Sequence, residues 1–397
     1  MPHPNRPSSP LEAALLRRHW LALAAGASLS ACGGGGTTDE GAAPTSHPLG
    51  VATGGTGRVR SFLSAAVTAT TPLVVGGITL DTRNAVLTDG DDAPLREQQL
   101  APGMTARVLA GSIVGGTAPA VAITVDTQVT GPASWLDSRT LLVFGQRVSV
   151  GSSTVRGPGA AGAPPDVQVW GQLDPVAGRI LATRLSARAA NTAPMLRGLL
   201  TAVDRSAGWL QIGPLVARAT NPSAIPAGLA EGAVARLTLG APLPDGSWEL
   251  IEARDDALRP PDGVQAELEG HVTQFSNARQ FSLDGVPVDA SRAQIEGLAQ
   301  LQLGAAVEVH GSMRQGVLVA TEVSAQAAEP LELAGSISAL DAGSQTFLLH
   351  GWQLRWDATT RFSNGNSAGL RVGRQVAVRA RWKPGSAALL ATQISLG

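Results

Sequence analysis

The stretch that decides the fold is Leu268–Ala325, LEGHVTQFSNARQFSLDGVPVDASRAQIEGLAQLQLGAAVEVHGSMRQGVLVATEVSA. Leu268, Gly270 and Val272 alternate with Glu269, His271 and Thr273, the period-two pattern of a half-buried strand. Phe281 and Leu283 start a second strand, and Val286 and Val288 a third. Asp284-Gly285 joins them, a strong two-residue hairpin signal because both residues accept positive φ. From Ala290 to Leu303 the alternation stops, and Leu298 and Leu301 read as one helical turn closed by Gly304. Val307 and Val309 mark a fourth strand, with Glu308 and His310 on its other face. A turn at Arg314-Gln315-Gly316 leads to a fifth, Val317–Val323.

The same order recurs along the chain. Opening strands centre on Gly57, Gly131, Gly198, Gly270 and Gly335. A glycine marks the hairpin between strands two and three each time: Gly76-Gly77, Gly145, Gly213-Pro214, Asp284-Gly285 and His350-Gly351. A Leu-x-x-Gly element precedes strand four at Leu100–Gly103, Leu229–Gly232, Leu301–Gly304 and Leu370–Gly373. The second copy has a Gly/Pro-rich loop, Gly157–Pro165, in its place. Five short strands with the longest connection between the third and fourth predict an OB-like barrel, a small Greek-key fold. Another small β-barrel or sandwich is the alternative. The expected fold class is all-β: five tandem five-stranded OB-like barrels at residues 56–126, 127–190, 194–257, 264–326 and 331–397. Each is expected to be a bead with its own core, with the first two packed together because only Asp126–Val129 joins them.

Residues 1–31 read as a secretory leader. Arg17 and Arg18 precede a short apolar run from Trp20 to Leu29, too brief to span a bilayer as a helix. Leu29-Ser30-Ala31-Cys32 resembles a bacterial lipobox, and Cys32 is the single cysteine of the chain. The resemblance implies cleavage before Cys32 and its acylation (palmitate among the chains), hence a membrane partner through a lipid anchor. Arg17-Arg18-His19-Trp20-Leu21 also resembles a twin-arginine export signal faintly; a simple basic flank is the plainer reading. Gly33 after the cysteine favours, by analogy with enteric sorting, the outer membrane, on its periplasmic side. Residues 32–55 are rich in Gly and Thr and too poor in apolar side chains to fold, so they read as a flexible tether.

Taken together, the lipobox, the tether and the repeated Gly-x-Val, Leu-x-x-Gly, Val-x-Val-x-Gly and Val-x-Ala-Thr-x-Val elements resemble an uncharacterised proteobacterial lipoprotein family. Its domain has an OB-like β fold and no known function. The likeness is strongest at Gly304, Val307, Val309, Gly311 and Ala320-Thr321 in the fourth copy, and at Gly373, Val376, Val378 and Ala391-Thr392 in the fifth. It implies fold and location and supplies no catalytic residues.

Chemistry-bearing patterns are few. The formal net charge is −1, which gives no field for nucleic acid. One cysteine excludes a disulfide framework and a Cys-based zinc site. No Gly-x-Ser-x-Gly elbow or phosphate-binding loop occurs, and Lys383, the sole lysine, is followed by Pro384. His271 and His310 fall on the polar face of their strands and read as exposed; neither a metal nor a cofactor is expected. Asp89-Gly90-Asp91-Asp92 lacks the alternate ligand spacing of a calcium loop and reads as a solvated turn. Trp352, Trp356 and Trp382 in the fifth copy are candidate ligand-binding residues, since indole rings stack on sugars; core packing is the competing reading. The expectation is a non-enzymatic envelope lipoprotein, a scaffold or interaction module with a protein or polysaccharide partner. The alternatives are a carbohydrate-binding protein using those tryptophans, and an enzyme with a site between repeats where ionisable groups converge in a cleft.

Overall fold

In all five repeats the first strand runs antiparallel to the second, the second to the third, and the third parallel to the fifth. The fifth then returns antiparallel to the fourth, and the fourth to the first. In the fourth repeat this ring joins Gln265–Asn277, Gln280–Leu283, Val286–Asp289, Ala306–Arg314 and Val317–Gln326. The same ring closes in the first repeat, the second, the third and the fifth. A closed ring with a parallel three–five pair is the Greek-key barrel that the sequence predicts. These pairings come from a computed structural model that describes residues 60–160, 165–175, 178–190, 192–221, 225–326, 330–381 and 388–397. The leader, the tether, Cys32, His47 and Trp382 lie outside the described residues.

The signals read from the sequence act locally as their chemistry requires. Asp284 and Gly285 have φ of 47° and 86°, and His350 and Gly351 of 52° and 77°, so both hairpins turn through the left-handed region. Leu100, Leu229, Leu301 and Leu370 are all buried. Each is followed three residues later by a positive-φ glycine whose N–H donates to a carbonyl in the first strand or just after it: Gly103 to Val67, Gly232 to Leu200, Gly304 to Val272 and Gly373 to Ile337, each at 2.8 Å. A bulge interrupts the pairing of strands four and five in every repeat, for example between His310 and Gly311. Bulges bend and twist a strand, which is how a short sheet closes on itself.

Three expectations are corrected. The first strand of repeat 1 is Ser61–Thr70, and its counterpart of the opening glycine is Ala65, two residues before Val67, rather than Gly57. In the fourth repeat the segment before Leu301 is not all turn: Leu298–Leu301 closes as a tight turn, with Gln300 N–H donating to the Gly297 carbonyl at 2.8 Å and Leu301 N–H to that of Leu298 at 3.3 Å, but Gln294–Glu296 ahead of it adds a short strand parallel to the fifth, as Val86–Asp89, Val155–Arg156 and Arg361–Ser363 do elsewhere. The repeats are not separate beads. Repeats 1 and 4 share one 12-stranded sheet, repeats 2 and 3 another, and repeat 5 stands in a 7-stranded sheet.

The joints between repeats are built from strands and from borrowed side chains. Ser61–Ser64 of repeat 1 lies parallel to Gln265–Leu268 of repeat 4. Phe62 thereby enters the core of repeat 4, and Trp170 of repeat 2 enters that of repeat 1. Burying a side chain of this size contributes about 1.5–3 kcal/mol. Repeats 2 and 3 form one core from Val129 to Ala253, with Phe144 edge-on to Trp248 at 4.8 Å. Repeats 1 and 2 meet at the Leu100–Gly103 turn, where Thr183 Oγ1 donates to the Gly103 carbonyl at 2.6 Å and Arg184 Nη1 to the Pro102 carbonyl at 2.9 Å. Repeat 5 joins repeat 2 through Arg147, which donates to the His350 carbonyl at 2.6 Å, and through the Arg139–Glu332 pair.

Candidate functional site

Two groups of ionisable side chains arise from this packing. The first lies where repeats 1 to 4 meet. Arg107 of repeat 1 holds Asp126 at 2.6 Å and reaches Asp256 of repeat 3 at 3.5 Å. Arg197 donates to Asp256 at 2.8 Å, and Gln128 of repeat 2 donates to the Arg197 carbonyl at 2.7 Å. Asp284 of repeat 4 faces the same cleft; burial pushes its carboxyl up to about 6, partly opposed by Arg197 and by the N–H of His271. Burial works against the charge of Arg107, yet Asp126 and Asp256 raise its pKa. The cleft has shifted ionisable groups converging from several repeats, as an active site between repeats would. Its volume is about 50 Å³, room for water molecules and below the roughly 300–1,000 Å³ of small-molecule sites.

His271 belongs to the same junction and corrects its reading as an exposed strand residue: it is 3 % exposed. Burial lowers its pKa, helped by the charge of Arg179 and opposed by Asp174, so the imidazole is neutral beside the buried Arg179–Asp174 pair of repeat 2. The Asp89–Asp92 loop is likewise more than a solvated turn. Asp91 accepts two hydrogen bonds from Arg236 of repeat 3, at 2.6 and 2.8 Å, and one from Arg254 at 3.0 Å. The Arg236 bonds hold the Asp91 carboxyl below its usual range. This loop fastens repeat 1 to repeat 3 through a two-pronged guanidinium–carboxylate contact.

The second group is on the outer face of repeat 4. Antiparallel pairing sets Glu267 directly across from His310, and Glu308 shares the face of His310 two residues away. His310 Nε2 is 3.1 Å from Glu308 and Nδ1 is 3.7 Å from Glu267. The hydrogen bond to Glu308 raises the His310 pKa against the opposing effect of burial, and Glu267 and Glu322 add to the rise. One donor atom from each of Glu267, Glu308 and His310 lies within 4.8 Å of the others, the group with metal-ligand spacing among the described residues. The sequence placed Glu308 and His310 on one face, but only the strand register brings Glu267 to them.

Trp352 and Trp356 do not form an open platform. Trp356 is 5 % exposed and packs in the core against Phe347, ring centroids 6.0 Å apart, so it is corrected from candidate ligand-binding residue to core residue. Trp352 is half-buried under the guanidinium of Arg147, 4.6 Å from the ring centroid, at the contact with repeat 2. His350 serves its turn, its Nε2–H donating to the Ala334 carbonyl at 3.0 Å.

Fold and sites together define an all-β protein of small closed barrels fastened by inter-repeat ion pairs. Residues 269–324 and 334–395, in the fourth and fifth repeats, match a domain of unknown function (DUF5666). No curated protein matches the chain.

Proposed function

We propose that this chain is a non-enzymatic cell-envelope lipoprotein, a multi-repeat β scaffold anchored through acylated Cys32 in the outer membrane and facing the periplasm. The observation that carries the scaffold reading is the junction of repeats 1 to 4. Arg107, Asp126, Gln128, Arg197 and Asp284 come from four repeats and line one cleft of about 50 Å³, and Asp256 beside it ties Arg107 to Arg197. Chemistry-bearing side chains are thus used to fix barrels in one arrangement, which suits a protein that presents a rigid surface to a protein or polysaccharide partner. The lipid anchor is supported by Leu29-Ser30-Ala31-Cys32 behind a basic flank, with the chain's one cysteine at its end. A polysaccharide partner would use a surface other than Trp356, which is in the core, or the face of Trp352 that Arg147 covers.

The anchor is tested by labelling cells with a palmitate analogue and fractionating their membranes. The wild-type chain is expected in the outer-membrane fraction with label, and Cys32→Ser in the soluble fraction without it. Label and membrane attachment that survive Cys32→Ser would overturn the lipoprotein reading.

A further inference from the structure

Glu267, Glu308 and His310 bring three metal-ligating side chains together on one face of repeat 4. We propose that these three residues form a binding site for a borderline divalent cation of the zinc class, on the outer face of repeat 4 beside the first hairpin of repeat 1.

The strand register builds the site. Glu267 is the cross-strand partner of His310 on one side, and Glu322 its partner on the other, so one imidazole lies among carboxylates from three neighbouring strands. Side chains directly opposite on an antiparallel pair stand about 4.5–5.5 Å apart at Cβ, close enough for their tips to share one ion. One ligand atom from each residue lies within 4.8 Å of the others; the imidazole gives an ion one nitrogen, so a carboxylate now on the other nitrogen (Glu267 at 3.7 Å from Nδ1, Glu308 at 3.1 Å from Nε2) swings across to join it. Tetrahedral donors on bonds of about 2.0–2.1 Å are separated by roughly 3.4 Å, so rotations of side chains suffice. Gly76 of repeat 1 makes room for the carboxylate: a Cβ there would stand 3.1 Å from Glu267 Oε1.

Donor chemistry selects the cation. One imidazole nitrogen with carboxylate oxygens suits zinc and its neighbours, whereas calcium and magnesium take oxygen ligands. Exposure of 38 % for the His310 side chain, with 12 % and 18 % for Glu267 and Glu308, leaves an approach from solvent and an open fourth position for water.

The test is calorimetric titration of the chelator-treated full chain with zinc chloride. The wild type is expected to bind one equivalent more than His310→Ala, and Glu267→Gln to weaken that equivalent at least tenfold, with no competition from calcium. Zinc is expected to raise the thermal midpoint of the wild type and leave that of His310→Ala unmoved. Should His310→Ala fail to fold, Glu308→Gln carries the same comparison. Equal zinc stoichiometry in wild type and variant, or full competition by calcium, overturns the proposal.

Discussion

Asp284 meets two demands at one position. Its backbone sits at φ 47° in the hairpin, a conformation that Asp and Asn tolerate better than other non-glycine residues. Its carboxyl is buried at the junction and titrates at about 6 in place of 3.8. A raised carboxylate pKa means that the folded chain binds more protons than the unfolded one between about pH 4 and 6, so this residue makes stability fall as pH rises through that window. Two units correspond to about 3 kcal/mol at most, present above the folded value. Asp91 has the opposite sign: Arg236 lowers its pKa, and its stabilisation is present above the unfolded value and lost as the solution is acidified. Asp284→Asn keeps the size and the tolerated φ while removing the buried charge. We expect it to stabilise the chain by about 1–3 kcal/mol at pH 7 and by nearly nothing at about pH 4, where Asp284 is itself protonated. Urea denaturation of both proteins across that range measures the difference, and a pH-independent difference would refute the assignment of the shift to Asp284.

At the scale of the element, the recurring part is a strand glycine set against a hairpin residue. A Cβ on Gly335 would come within 2.3 Å of His350 Nε2, and one on Gly270 within 2.3 Å of the Asp284 carboxylate. Repeat 1 reverses the arrangement: the turn residue is Gly76, and the strand position holds Ala65. Gly335→Ala alone is therefore expected to cost about 1–3 kcal/mol through overpacking. Adding His350→Gly, which copies repeat 1, should recover at least 1 kcal/mol of it relative to the sum of the single changes. Denaturation midpoints of the four proteins close the cycle, and additivity within about 0.5 kcal/mol would show that the two positions are not complementary. The same pairing explains what the sequence made legible. Hairpin glycines, Leu-x-x-Gly turns and alternating strands are local signals, and they located the barrels. Repeat 1 is displaced in the sequence pattern because the complement of Gly76 is an alanine, Ala65, where the other repeats carry glycine. Gln294–Glu296 escaped because three residues carry no periodicity, and Leu298 and Leu301 beside it suggested a turn of helix.

Across the whole molecule, alternation says which face of a strand is covered but not by what. Ser61-Phe62-Leu63 are all buried, a run covered on both faces, because Leu63 fills its own barrel while Phe62 fills that of repeat 4. That break in alternation was a visible sign of a second packing surface, although nothing local named repeat 4 as its owner. His271 and Glu267 became site residues for the same reason: the polar face of repeat 4 is covered by repeats 1 and 2 rather than by water alone. The arrangement predicts a covalent link between distant parts of the chain. Ser61 and Gln265 are register partners in the parallel pair, and adjacent strands lie about 4.8 Å apart, inside the Cα range of about 4.4–6.8 Å that a disulfide accepts. In a Cys32→Ser background no other thiol is present. Ser61→Cys with Gln265→Cys is expected to oxidise within one molecule, giving a faster band on a non-reducing gel and a single cross-linked peptide pair by mass spectrometry. Barrels hanging as independent beads would leave the thiols free or join them between molecules, and either result would exclude a shared sheet between repeats 1 and 4.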